Sequence, residues 1–284
     1  MSSPMDYCLM VFFAVLLVFV VHANAAWGVP FEQNYLVEYG SDHIQYFEGH
    51  TEVQLTLDQT SGSGFGSKGG YGSGFFQMRI KLPDKDTTRI LATFYIISVT
   101  SIHDEIDFEF LGGNESFILH TNVFTNGVGG REQQFSFWFD PTADFHTYKI
   151  LWNDHQIVLF VDEIPIRVFK NITYSGVGYP TQPMRVEGTI WSADWASNGK
   201  PVNWSSAPFR ANYQWFGIDG CQAQTLNPQQ CHSPDLFWNG QKFWDLDANQ
   251  RKAYENVRNK FLMYDYCLDR ARYPNVPPEC QLNG

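Results

Sequence analysis

Glu52-Val53-Gln54-Leu55-Thr56-Leu57 alternates polar and apolar residues without a break. In an extended chain, Val53, Leu55 and Leu57 share one face and Glu52, Gln54 and Thr56 the other. Phe75-Phe76-Gln77-Met78-Arg79-Ile80 and Gln156-Ile157-Val158-Leu159-Phe160-Val161 are further short runs of the same kind. From Tyr35 to Trp215 such runs are divided by Gly, Pro, Asn and Asp, with no helical period between them. Regular short strands at this spacing predict an antiparallel β-sandwich or jelly roll rather than a parallel α/β fold. The Gly- and Ser-rich stretch from Ser61 to Gly74 reads as a flexible loop, and it lacks the Gly-Lys-Ser/Thr of a phosphate-binding loop.

The chain has 284 residues, 44% of them hydrophobic, enough for a substantial core. Aromatics make up 17%, which suits strands and, where exposed, stacking against sugars. The 19 basic and 30 acidic residues leave a net charge of −11, which argues against a nucleic-acid partner and leaves neutral polymers open.

The N-terminus reads as a secretory leader. Leu9 to Val21 is an apolar run too short to span a bilayer, and Ala23-Asn24-Ala25 follows as a small-x-small cleavage pattern. The leader is assigned to residues 1–25, although its first eight residues carry Asp6 and no Lys or Arg. After cleavage no membrane association is expected. Four cysteines then remain: Cys221, Cys231, Cys267 and Cys280. An even count near the C-terminus suggests two local disulfides. Three pairings are possible; loop-closure entropy favours Cys221–Cys231 with Cys267–Cys280, and no CxxC supports a zinc site instead. Sequons at Asn114, Asn171 and Asn203 fit an exported glycoprotein. Composition changes after Cys221, so residues 26–220 are assigned to the sandwich and 221–284 to a stapled extension packed on it. Asp247 with Gln250 reads as a capping box before Tyr254, Val257 and Phe261 at helical spacing.

The chemistry concentrates in Ile102-His103-Asp104-Glu105-Ile106-Asp107-Phe108-Glu109-Phe110-Leu111. Alternation puts Glu105, Asp107 and Glu109 on one face and Ile106, Phe108 and Phe110 on the other. Three neighbouring carboxylates repel and couple their titrations. Glycoside hydrolysis needs such a set: one carboxylate to attack the anomeric carbon and one protonated acid to assist departure of the leaving sugar. Two other readings are a solvated strand face and calcium ligands, the latter without a loop site's Gly turn. In a straight strand, Glu105 and Glu109 are about 13 Å apart at their α-carbons. A retaining site wants their carboxyls roughly 5–5.5 Å apart, which calls for twist and for side chains that lean together.

The string from His103 to Gly112 resembles the active-site signature of plant xyloglucan endotransglucosylase/hydrolases, in glycoside hydrolase family 16. Further similarities are Tyr71-Gly72-Ser73-Gly74, His120-Thr121-Asn122-Val123-Phe124, Arg131-Glu132-Gln133, Trp138-Phe139-Asp140-Pro141-Thr142 and Phe145-His146-Thr147-Tyr148, then Pro165-Ile166-Arg167-Val168 and the ending from Tyr266 through Cys280. The resemblance implies a concanavalin-like jelly roll whose concave sheet carries an open substrate cleft. It implies Glu105 as nucleophile, Glu109 as general acid/base and Asp107 as the residue that orients and tunes Glu105. Donor and acceptor xyloglucan chains are the implied partners, with no metal or organic cofactor, and the expected setting is the plant cell wall, with the protein a monomer. Sugar contacts carry over onto His120, Thr121, Asn122, Arg131, Glu132, Asp194, Trp195, Gly199 and Arg272. Read alone, Asn122 could end a strand, Trp195 could be core and Arg272 could pair with Asp269. Three departures stand out: Gly113 intervenes before the sequon Asn114, Gly130 replaces an Asn, and the Trp191–Trp195 stretch is one residue short. In this family a longer loop there accompanies hydrolysis, so its brevity implies transfer. A predominantly hydrolytic enzyme and a non-catalytic glycan-binding sandwich are the competing readings.

Overall fold

The computed structural model describes residues 28–114, 116–197, 200–226 and 228–281. The leader assigned to residues 1–25 lies outside them, as does Gly199. Along the chain, the strands are β1 (Tyr35–Tyr39), β2 (Ile44–Phe47), β3 (Glu52–Leu57), β4 (Ser63–Ser67), β5 (Tyr71–Lys81), β6 (Ile90–Ile97), β7 (Glu105–Gly112) and β8 (Phe117–Phe124). They continue with β9 (Gln133–Ser136), β10 (His146–Trp152), β11 (Gln156–Val161), β12 (Ile164–Lys170), β13 (Arg185–Ser192), β14 (Phe209–Gln214), β15 (Asp219–Gln222) and β16 (Leu262–Asp265). One sheet runs β1-β4-β13-β6-β7-β8-β9-β16; the other runs β12-β11-β10-β5-β14-β3-β2, with β15 pairing β5. The pairings are antiparallel, so this is the expected sandwich.

The alternation read from the sequence is what builds the core. Val53, Leu55 and Leu57 from one sheet meet Ile106, Phe108 and Phe110 from the other in a single cluster. Phe94 stacks on Phe108 at 6.1 Å between ring centroids, and Phe110 meets Tyr148 edge-on at 4.7 Å. Burying such a side chain stabilises by about 1.5–3 kcal/mol. Strand β7 therefore cannot slip by one residue without exposing all three apolar side chains and burying the carboxylates. Strand β11 is buried on both faces because Trp238 and Tyr254 of the extension cover Val158 and Phe160.

The stretch from Ser61 to Gly74 is not the expected flexible loop: it forms β4 and the start of β5. Its glycines make close packing possible. A Cβ on Gly64 would lie 2.5 Å from the Tyr39 ring, and one on Gly66 would collide with the Arg185 guanidinium. Composition alone suggests slack chain, but here it serves a tightly covered strand.

The extension adds to both sheets. Strand β15, which contains Cys221, pairs with β5, and β16 pairs with β9 at the edge of the first sheet. The disulfides are Cys221–Cys231 and Cys267–Cys280. The C-terminal helix Ala248–Phe261 begins with the capping box: the Asp247 carboxylate accepts from the Asn249 and Gln250 amides, and the Gln250 side chain returns to the Asp247 amide. Tyr254 and Val257 face inward.

Candidate active site

Strand β7 is central in its sheet, flanked by β6 and β8. Ile106, Phe108 and Phe110 point into the sandwich, so Glu105, Asp107 and Glu109 emerge on the opposite face. Cross-strand register extends that face sideways. Asp107 lies opposite Tyr95 on β6 and Asn122 on β8; Glu109 lies opposite Thr93 and His120. Asp107 is only 4% exposed, while the two glutamates flanking it are half-buried.

Each glutamate has its own histidine. His103 Nε2 lies 3.0 Å from Glu105 Oε2, with the imidazole tilted against Phe124 at 5.3 Å between centroids. His120 Nδ1 lies 2.9 Å from Glu109 Oε2, off the direction of an aligned hydrogen bond. Burial and the neighbouring Glu105 and Glu109 charges hold the Asp107 carboxyl well above the ordinary aspartate range. The hydrogen bond between the two carboxyls acts in opposite directions, favouring the protonated form of Asp107 and lowering Glu105. Burial also raises Glu105, opposed by the Asp107 hydrogen bond and by His103. A glycosidase that works through a covalent intermediate needs such a difference between neighbouring carboxyls.

Toward the β9–β16 edge, a groove of about 420 Å³ is lined by Leu111, His120, Glu132, Gln134, Trp195, Ala196, Tyr264 and Arg272. The structure thus brings together four of the expected sugar contacts: His120, Glu132, Trp195 and Arg272. Arg272 makes a forked pair with Glu132, at 2.8 Å and 3.3 Å, rather than pairing through its side chain with Asp269. Trp195 is 56% exposed and is not core.

Four of the other expected sugar contacts have partners within the chain. Thr121 is fully buried on the inner face, where its carbonyl and hydroxyl oxygens accept from Arg167 at 2.8 Å and 3.0 Å; it does not line the cleft. A one-residue step along a strand reverses direction, and Thr121 is one step from both His120 and Asn122. The Arg131 guanidinium is committed to Glu279 at 3.0 Å, the Val123 and Val128 carbonyls and the Thr125 hydroxyl. That makes it a tie between the β8–β9 segment and the extension. Asn122 faces the cleft beside Asp107, while its Oδ1 accepts from the Val123 and Arg131 amides. Asp194 begins a 3-10 turn, Asp194–Ser197, and pairs with Arg89. Asn114 is exposed in the bend after β7. The sequence reading passed over Tyr95, Gln134, Tyr264 and Glu187. Alternation could have placed each on a face, but only strand pairing reveals which distant residues share it.

These features define a class: an antiparallel sandwich with a carboxylate row on one central strand and a groove beside it. Residues 31–217 match the family described as "Glycosyl hydrolases family 16". Residues 232–280 match "Xyloglucan endo-transglycosylase (XET) C-terminus". The chain is 49% identical to xyloglucan endotransglucosylase/hydrolase protein 2 of Arabidopsis thaliana, covering 98% of each. It is 46% identical to xyloglucan endotransglucosylase/hydrolase protein A of Phaseolus angularis, covering 99% of this chain and 98% of that one. Among solved structures, the Bacillus licheniformis β-glucanase shares the fold with a TM-score of 0.56 at 22% identity, covering 70% of this chain and 96% of that one. The chain belongs to the xyloglucan endotransglucosylase/hydrolase family of glycoside hydrolase family 16.

Proposed function

We propose that this protein is a retaining endotransglucosylase acting on xyloglucan. The observation that carries the reading is the buried Asp107, its carboxyl held well above the ordinary aspartate range, between two half-buried glutamates on one strand face. In the first half-reaction a Glu105 oxygen attacks the anomeric carbon of the donor, and the glycosidic bond breaks as Glu109 gives its proton to the departing oxygen. In the second, Glu109 removes the proton from an acceptor hydroxyl, whose oxygen attacks the same carbon and releases the Glu105 carboxylate. Two inversions retain configuration. Asp107, through its hydrogen bond, orients Glu105 and moderates its charge.

Transfer rather than hydrolysis is supported by the groove beside Glu109. His120, Glu132, Trp195, Tyr264 and Arg272 there would hold an acceptor chain, giving its hydroxyl a high effective concentration against bulk water. Asn122 and Asp194 are assigned to the same cleft wall in secondary roles. The cleavable leader, the two disulfides and the Asn114 sequon support export to the cell wall, with Asn114 glycosylated.

The test is product sizing with a labelled xyloglucan oligosaccharide acceptor. Transfer places label in polymer, whereas hydrolysis shortens the donor and leaves the polymer unlabelled. Glu105→Ala should abolish both while the protein stays folded; turnover that survives in this variant refutes the assignment. Glu109→Gln should lower transfer by about 10²–10⁴-fold, the usual worth of a general acid/base.

A further inference from the structure

One cleft carboxylate has no part in the chemistry above. Glu187 on β13 lies opposite Tyr95, which lies opposite Asp107, so the three share one transverse row of the face that carries the acidic residues. Tyr95 donates its hydroxyl to Glu187 Oε2 at 2.7 Å. Beyond Glu187, the next position in the row is Gly66 on β4, whose missing side chain leaves room for Arg185 and Glu38. Glu187 is half-buried, and burial raises its carboxyl above the usual glutamate range, opposed by the Tyr95 hydrogen bond and by Arg185. A charge kept in such a place at an electrostatic cost needs a use.

The direction of the glucan supplies one. Nucleophile and acid/base must flank the scissile bond, and here both stand on β7, so the polysaccharide crosses the strands rather than following them. The acceptor groove lies toward β9 and β16; the donor therefore lies over β6, β13 and β4. Glu187 is two strands from Asp107, roughly 10 Å away. That is too far to touch the carbon under attack, but within reach of the donor sugars next to it.

We infer that Glu187, paired with Tyr95, is a donor-binding residue that accepts a hydrogen bond from a hydroxyl of the neutral glucan backbone on the nucleophile's side of the cleft. The inference rests on the retaining assignment of Glu105 and Glu109. It is tested by transfer kinetics on Glu187→Ala, Glu187→Gln and Tyr95→Phe, varying xyloglucan at saturating labelled acceptor and then the reverse. Glu187→Ala should raise donor KM about tenfold and leave acceptor KM unchanged, the lower end of what a hydrogen bond to a charged group contributes. Glu187→Gln keeps an acceptor oxygen for Tyr95 and for the sugar, and should recover part of the loss. Tyr95→Phe should raise donor KM to a smaller degree. Unchanged donor KM, or an equal rise in acceptor KM, overturns the inference; if the alanine variant does not fold, the two isosteric variants decide it. An inactive Glu105→Ala together with a silent Glu187→Ala rejects this inference alone, whereas an active Glu105→Ala rejects the retaining assignment as well.

Discussion

Asp107 sits between two glutamates, and the same burial that serves the site weakens the fold. Its folded pKa is raised, so its contribution to stability is fully present below the unfolded aspartate value near 3.9 and is lost as pH rises through the folded value. Asp107→Asn cannot ionise and should escape that loss. Its Tm is expected to exceed that of the unsubstituted protein at pH 7 by a few degrees (about 2–4 °C per kcal/mol for a chain approaching this size) and to match it near pH 3. Activity should move the other way. Asn still donates to Glu105 and should retain part of the turnover, whereas Asp107→Ala leaves Glu105 without its donor and should be much slower. A melting series across pH combined with turnover of both variants checks the pair, and equal Tm differences at pH 3 and pH 7 would contradict it. The acidic row was plain in the sequence at this scale. Which member is buried and pushed toward its protonated form was not, because that depends on the neighbouring strands.

At the scale of elements, β7 and the C-terminal helix were legible because each carries a local period. The helix is also set by its cap: Asp247→Ala removes the acceptor for two amides and should cost about 1 kcal/mol, read as a lower denaturant midpoint at constant slope. Strand β4 was illegible for the opposite reason. Gly64 and Gly66 carry no side chain from which a period could be read, and their value lies in what rests on them. Gly64→Val should displace Tyr39 and destabilise β1–β4 pairing by roughly 1–3 kcal/mol, as overpacking does; thermal unfolding at an unchanged Tm would show that the strand tolerates the side chain. Thr121 teaches the same lesson: its neighbours His120 and Asn122 face the cleft, while Thr121 faces Arg167.

At the scale of the molecule, the extension completes the cleft as well as covering the outer face of the sandwich. Arg272 and Tyr264 line the groove beside His120, and Arg272 lies within the loop closed by Cys267–Cys280. Removing that bridge frees a 13-residue separation and should cost about 3 kcal/mol by chain entropy. Cys267→Ser with Cys280→Ser should therefore lower Tm and, in transfer assays, raise acceptor KM more than donor KM. A uniform loss across both substrates would assign the bridge to global stability alone. Arg131, which donates to the Val123 carbonyl of β8, ties Glu279 to that strand, and Gln133 of β9 donates to Asp265, which Arg258 also contacts.

By itself the sequence determined what local order encodes: two-residue alternation, hence strands, and three acids in step, hence one acidic face; it favoured the two short bridges without deciding between pairings. Tertiary structure alone decided which residues from distant strands stand side by side. Glu187 and Tyr95 face Asp107, Arg272 grips Glu132, and Arg131 turns away to Glu279, all because antiparallel register brings together positions separated by scores of residues. Side-chain direction repeats every two residues along a chain, but the partner across the sheet is fixed only when the whole core has packed.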